Sequence, residues 1–272
     1  MAIEPLARLL RLLGKRGSRY LEEGIREAVE MGGDASRIYH RVGMLYRDYY
    51  GEVEPPPGDR GYYKEYPGAP LVRLPEPLES TGVDVLHAIR SRRSRRRYSR
   101  EPLSLEEVST ILYHTVGITG KALWGGPKRA YPSSGALQPV EVYASIHRVD
   151  GVEPGIYHYN PRVHGLELLR PGDYSRTLAS IALDQDHVSS APLVMILTAV
   201  YSRTLQKYGQ RSYRYVHWDT GFAGENVYLA CEGLGLATVA VGAFYDEEIC
   251  SLLGIDCRLE IPMLLFPIGR RG

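Results

Sequence analysis

An α+β fold is predicted for this chain from three observations. First, the segments Glu141 to Val149, Gly155 to Asn160 and Gly165 to Arg170 read as strands separated by Asp150-Gly151 and Asn160-Pro161 turns, the pattern of an antiparallel meander. Second, the nearly continuous apolar run from Leu193 to Val200 suits a strand buried on both faces. Third, helical periodicity flanks these strands on both sides in sequence, so helices should cover a central mixed or antiparallel sheet.

The elements follow in order. Residues 1 to 53 read as a helical extension of three short helices, with Leu6, Leu9, Leu10 and Leu13 as one apolar stripe and Asp34 as an N-cap. From 54 to 80 the chain is rich in proline, including Pro55, Pro56, Pro57, Pro67, Pro70, Pro75 and Pro77, which favours an extended wrapping strap. Residues 81 to 272 then form the main domain. A helix from Val83 leads into an arginine run, and Ser104 with Glu107 makes a capping box for the helix carrying Val108, Ile111 and Leu112. Past the meander, a helix is expected near Tyr174 to Leu183. The longest helix is expected from Tyr213 to Glu232, stopped by Gly233 and Gly235, with Val216, Phe222, Val227 and Ala230 facing inward. A strand at 236 to 243, a helix at 246 to 253 and a strand from Met263 to Ile268 close the chain.

Composition narrows the function classes. At 272 residues, 44% hydrophobic and 24% charged, the chain can bury a sizeable core, which excludes a disordered or fibrous protein. Its longest apolar runs, Ala191 to Tyr201 and Leu234 to Phe244, fall well short of the roughly 20 residues of a membrane span. Glu4 and Arg8 interrupt the leading leucines, so no secretory signal is expected and a cytoplasmic location is inferred. Cys231, Cys250 and Cys257 are read as buried thiols, with no metal site. Arg outnumbers Lys 28 to 5, a balance found in some heat-adapted proteins. The net charge of +1 supplies no global field for nucleic acid, so any basic patch must act locally.

Three segments carry residues suited to chemistry. Between Arg90 and Arg100, 7 of 11 residues are arginine, and guanidinium forks match phosphate oxygens, with Ser94 adding a hydroxyl. A nucleotide cofactor held by two or three members and pairing with surface carboxylates are equally compatible with this run. A polynucleotide rail is disfavoured because only Tyr98 interleaves it. In Tyr131 to Pro139, Ser133, Ser134, Gly135 and Gln138 stand where a short helix or turn begins, which suits an anion or a polar ring edge and equally an ordinary capped turn. The small residues from Thr238 to Phe244 would let backbone lie flat against a planar ring. No Rossmann fingerprint, P-loop, G-x-S-x-G elbow or H-E-x-x-H helix occurs, and His158 with His164 reads as a hairpin coincidence.

The order of four segments, RRSRRRYSREPLSLEEVSTIL, PSSGALQPVEVYASI, DTGFAGENVYLACEGLGLATVAVGAF and PMLLFPIG, resembles the FMN-dependent nitroreductase superfamily. Within it the chain is similar to the SagB-type dehydrogenase branch, through Tyr39-His40 and the strap from Lys64 to Pro75 as well. The resemblance covers most of the chain from about Asp34 onward. It implies a nitroreductase-like fold and a homodimer with FMN at the subunit interface. It also assigns roles. Arg92, Arg96 and Arg270 match positions gripping the FMN phosphate and pyrimidine edge, with Arg93 and Ser94 adjoining. Ser133, Ser134, Gly135 and Gln138 match the segment that meets the flavin, commonly from the partner subunit, and Val241 and Gly242 match the strand end beside N5 and O4.

Lys207-Tyr208 resembles the pair of dehydrogenases that oxidise thiazoline or oxazoline rings in peptides. Such chemistry needs a base in a desolvated pocket, whereas the alternative is a pair that only orients the next helix. The resemblance therefore implies an FMN-dependent oxidoreductase working in ping-pong fashion on a small molecule or a peptide heterocycle, with Lys207 and Tyr208 as catalytic candidates. An NAD(P)H-dependent nitro- or quinone reductase is the alternative among enzymes. A flavin-binding protein without turnover is the alternative of another class.

Overall fold

A computed structural model describes Arg26, Ser36, Tyr39, His40, residues 61 to 123 and residues 125 to 272. The three expected N-terminal helices, the Asp34 cap and the first part of the strap lie outside the described residues. The rest of the strap, from 61 to 80, is extended apart from a short turn, and its only regular element is β1 (Leu71–Arg73).

The frame is a seven-stranded sheet in the order β1-β6-β5-β4-β7-β9-β8, formed with β4 (Val140–Ile146), β5 (Gly155–Asn160), β6 (Gly165–Pro171), β7 (Leu193–Val200), β8 (Leu236–Thr238) and β9 (Glu260–Arg270). Every strand pairing in it is antiparallel. Its β4-β5-β6 meander and fully buried β7 are as the sequence indicates. Alternation along β7 sends Leu193, Met195 and Leu197 into one core and Val194 and Ile196 into the other. Each such side chain contributes about 1.5 to 3 kcal/mol relative to exposure.

Helices cover both faces. On one lie α2 (Leu105–Val116) and α6 (Ser212–Gly233), which bring Ile111, Leu112, Ala223 and Val227 to the first core. The other is covered by α3 (Ser175–Ile181), α4 (Asp186–Ser190) and α7 (Asp246–Leu253), through Leu178, Val188, Ile249 and Leu252. The capping box of α2 is formed: Glu107 N–H donates to Ser104 Oγ at 3.1 Å and Ser104 N–H to Glu107 Oε2 at 2.8 Å. Asp84 caps α1 (Val85–Ser91) through the N–H groups of Leu86 and His87. α6 ends as expected, with Gly235 at φ 70°. A hairpin of β2 (Ile118–Lys121) and β3 (Pro127–Arg129) leads to the 133–138 turn, and α5 (Tyr201–Tyr208) follows β7 directly.

Several expectations are corrected. Phe222 does not face inward: it is 49% exposed, beside Trp218 at 47%, because the buried stripe of α6 runs through Val216, Thr220, Ala223 and Val227. The strand expected at 236 to 243 ends at Thr238, since Ala240 N–H turns to the Tyr228 hydroxyl and Val241 makes only an isolated bridge with Leu265. Cys250 and Cys257 are not buried thiols but a disulfide; α7 ends at Gly254 in the left-handed region, and the return of the chain brings the two Cα atoms to 5.7 Å. Only Cys231 remains free and buried. His158 and His164 have separate partners: His158 is fully buried between Glu141 and Glu167, and His164 meets Ser109 and Tyr159.

Candidate functional site

Two groups of the candidate residues form, each built around a side chain of α6. The first surrounds Tyr228. Past the end of α1 the arginine run lies along β8, with Ser94 bridged to Thr238 and Arg95 N–H donating to Thr238 O at 2.9 Å. This sets Ser94 Oγ 3.0 Å from Tyr228 Oη and stacks the Arg92 guanidinium 4.9 Å from the Tyr228 ring centroid. Ala240 N–H donates to the same phenol oxygen at 2.8 Å. Arg93 serves the backbone, donating to Arg90 O and Arg92 O at the helix end. Arg96 is exposed and has no hydrogen-bond or ion-pair partner among the described residues. Burial and then the charge of Arg96 push the His187 imidazole down.

At the strand end, Val241 exchanges both backbone hydrogen bonds with Leu265, so its N–H is occupied. Gly242 is exposed, and a Cβ there would meet only Leu264 Cδ2, at 3.9 Å. An open patch of backbone therefore lies beside the Tyr228 group.

The second group surrounds Asp219. Its carboxylate accepts from Ser133 Oγ at 2.9 Å, Ser134 Oγ at 2.8 Å and Ser134 N–H at 3.0 Å. Burial raises the Asp219 carboxyl, and these donors pull it back only in part. The two serine hydroxyls thus hold the turn and are not free donors. Gly135 follows at φ 61°, and a Cβ on it would fall onto Tyr208 Oη and within 2.8 Å of Lys207 Nζ. The left-handed backbone favours glycine, and a Cβ would have to push aside the ends of the Tyr208 and Lys207 side chains.

α5 is fastened to the turn from beneath. Arg203, one turn before Lys207, donates to Gln138 O at 2.8 Å and lies 2.7 Å from Glu141 Oε1. Lys207 Nζ sits 5.4 Å from the Tyr208 ring centroid, and Tyr208 continues edge to face into Tyr215 at 4.6 Å. Lys207 is exposed and Tyr208 half-buried, so the described residues do not by themselves build the desolvated pocket that base catalysis calls for.

Gln138 joins the Asp219 group through its backbone, N–H donating to Ser133 Oγ at 2.9 Å, while its buried side chain turns away, with Nε2 directed to Pro127 O at 3.4 Å. One predicted residue joins neither group. Arg270 is taken by Glu107, with guanidinium-to-carboxylate distances of 3.1 Å, and by Pro102 O at 3.1 Å. Conversely, the sequence reading missed Tyr228, Asp219 and Arg203. Asp219 had a signal, since it borders the Val216, Thr220, Ala223 and Val227 stripe and so had to be buried with partners. Tyr228 and Arg203 had none, because Ser94 and Arg92 for the one and Gln138 and Glu141 for the other come from distant segments. No group of three metal-ligating side chains occurs among the described residues, and no helix among them is long and apolar enough to cross a membrane.

Asp219 and Tyr228 are nine positions apart on one helix, about 14 Å along its axis. The outward face between and beside them carries Trp218 and Phe222, and the adjacent α1 exposes Val85, Leu86 and Ile89.

The profile of the nitroreductase family matches residues 89–270. The Methanocaldococcus jannaschii protein MJ1384, whose name places it among nitroreductases, is 42% identical over 200 residues, covering 74% of this chain and 96% of that protein. The trifolitoxin-processing protein TfxB of Rhizobium leguminosarum bv. trifolii is 30% identical over 148 residues, 53% of this chain and 40% of TfxB, so the chain spans under half the length of that relative. A crystal structure from Ralstonia eutropha, also described in nitroreductase terms, superposes with a TM-score of 0.64 at 28% identity, over 80% of this chain and 98% of that one.

Proposed function

The chain belongs to the nitroreductase family of oxidoreductases, and from that premise we propose that it is an FMN-dependent dehydrogenase acting as a homodimer on a small molecule or a peptide heterocycle. The observation that carries the reading is Gly135, whose missing side chain lets Lys207 and Tyr208 lie directly on the 133–138 turn. A proton-handling pair is thereby fixed to the segment that the family resemblance assigns to the flavin.

The residues present fit the cofactor. Arg92 and Arg96 supply permanent positive charge for a phosphate or an anionic ring edge, Ser94 a hydroxyl, and Gly242 uncovered backbone for a planar ring. FMN, when bound, supplies a two-electron acceptor at N5. Arg92 is oriented by its stack on Tyr228, while Asp219 holds Ser133 and Ser134 so that the turn keeps its shape. Lys207 Nζ or Tyr208 Oη takes the proton that leaves substrate carbon. The Tyr228 and Asp219 groups are too far apart on α6 to close on one ring within a chain, and the exposed Trp218, Phe222 and Ile89 supply an apolar face for a second copy. One chain would then contribute the arginines and the other the turn with Lys207 and Tyr208. The processing role in the name of TfxB favours the peptide heterocycle.

A second reading, an NAD(P)H-dependent nitro- or quinone reductase, is favoured by the similarity to MJ1384 over most of that protein's length. An absorbance spectrum of the purified protein, followed by anaerobic NADH or NADPH, tests both. Flavin bands that persist with nicotinamide and bleach with a thiazoline-bearing peptide support the dehydrogenase. Prompt bleaching by nicotinamide supports the reductase, and absence of flavin after FMN soaking removes both.

A further inference from the structure

Away from both groups, a cavity of about 500 Å³ lies between the strap at 78–83, α2, the β2-β3 hairpin and α6. This is the size of an ordinary small-molecule site. Arg129, at the end of β3, lines it and is 6% exposed. Among the described residues its Nε and Nη1 are buried without any hydrogen-bond partner, and Nη2 reaches only Val140 O at 3.5 Å. A guanidinium is always charged, and an isolated buried charge costs several kcal/mol, so this position calls for an anion.

Among the described residues none is free to pair with it. Glu141 is the buried carboxylate that senses Arg129, but Arg203 at 2.7 Å and His158 at 3.2 Å already hold it. Beyond it, Glu167 faces His158 and Glu260 faces Lys64, so each of these carboxylates already has a basic side chain other than Arg129 beside it. Asp219 is committed to Ser133 and Ser134. Glu79 stands at the cavity wall, exposed, and makes no ion pair with Arg129.

The rest of the lining indicates what the anion is attached to. Leu78, Leu229 and Ala230 offer an apolar wall. The polar atoms nearby are largely satisfied, with Asn226 Nδ2 donating to Ala130 O and His114 Nε2 to Leu78 O. A single unpaired guanidinium balances one negative charge, which suits a carboxylate better than a phosphate dianion. We propose that the cavity binds a small organic monocarboxylate with an apolar body, its carboxylate paired with Arg129 and its body against Leu78, Leu229 and Ala230.

The test is thermal melting and calorimetric titration of the full-length protein as purified, with hexanoate, hexanamide and inorganic phosphate as probes. Hexanoate is expected to raise the melting temperature saturably, as any ligand of the folded state does. Hexanamide should bind at least tenfold more weakly, and the flavin spectrum should stay unchanged. Arg129→Gln should abolish the response. Ala230→Phe, which fills the cavity and leaves Arg129 in place, should abolish it too and carries the test if the first variant does not fold. The proposal is overturned if hexanoate gives no shift, if phosphate binds more tightly than hexanoate, or if the response survives both substitutions. Hexanoate binding that perturbs the flavin spectrum and persists in Arg129→Gln would place the ligand at the flavin and overturn it as well. A protein that binds hexanoate through Arg129 but holds no flavin would sink the proposed function and leave this inference standing.

Discussion

Arg203 Nη1 lies 2.7 Å from Glu141 Oε1, where both side chains are 1% exposed, and the same nitrogen donates to Gln138 O at 2.8 Å. One guanidinium thus joins α5 to β4 and to the end of the 133–138 turn before it. Removing one partner strands the other as a buried charge, so Arg203→Ala or Glu141→Ala should each cost about 3 to 5 kcal/mol. Urea unfolding reads this directly. A double replacement by Met and Leu should cost clearly less than either single change, and an equal or larger loss would contradict the pairing.

Gly135→Ala isolates the close approach at the turn. Its backbone lies in the left-handed region, and its Cβ would displace Tyr208 Oη and Lys207 Nζ. We expect about 1 kcal/mol lower stability together with a much larger fall in kcat, at least tenfold. Unchanged turnover at lowered stability would show that the placement of Lys207 and Tyr208 is unrelated to catalysis.

Tyr228→Phe keeps the ring under Arg92 but removes the oxygen that meets Ser94 Oγ and Ala240 N–H. Two hydrogen bonds of about 1 kcal/mol each are lost. Flavin release, followed by fluorescence of the free cofactor, should show roughly tenfold weaker retention, and the melting temperature should fall by several degrees.

Stability should decline on both sides of neutrality, for separate reasons. Burial opposes ionisation of Glu141, but Arg203 and His158 outweigh it and hold the carboxyl at about 2. Its folded value lies below its unfolded one, so its contribution is present above the ordinary carboxylate range and lost as pH falls toward 2. Burial also opposes protonation of His158, yet Glu141 and Glu167 raise it above its ordinary value. Its contribution is complete below about 6.5 and is lost as pH rises through the higher folded value. Melting curves across pH should show both limbs, and His158→Gln should remove the alkaline one. An alkaline limb that survives would assign it to another group.

The Cys250–Cys257 disulfide closes a seven-residue separation behind α7. On chain-entropy grounds such a loop contributes about 2 kcal/mol. Reduction, or Cys257→Ser, should lower the melting temperature by several degrees. Alkylation of the unfolded, unreduced protein should label Cys231 alone. The bond also bears on compartment, since disulfides persist mainly in oxidising compartments and, inside cells, mainly in heat-adapted organisms.

What the sequence made legible depended on how far each signal reached along the chain. β5 and β7 begin and end where the apolar pattern and flanking turns place them, and the Ser104-Glu107 box is local enough to read outright. β1, β2 and β3 have only three or four residues each, too few to show a period. Phe222 was assigned inward because an apolar residue on a long helix usually is; the helix has two apolar faces, and only one is served by its own chain. Of the candidate site, the residues that adjoin in sequence were found, while Tyr228, Asp219 and Arg203 act on partners more than sixty residues away or on a stripe the apolar count ignores.

The strap has one more effect, on the sheet's outer rim. β1 adds three residues to the free side of β6, pairing Leu71 with Glu167 and Arg73 with Gly165, and it is flanked by Pro70 and Pro75. The opposite rim is β8, equally short. Neither rim offers a long row of open peptide groups on which another chain could template itself. A chain trimmed back to residue 81 would bare the outer edge of β6 from Gly165 to Pro171, and self-association by strand addition would compete with native pairing. In that sense the proline-rich segment guards solubility at high protein concentration, a duty separate from anything that happens at the flavin.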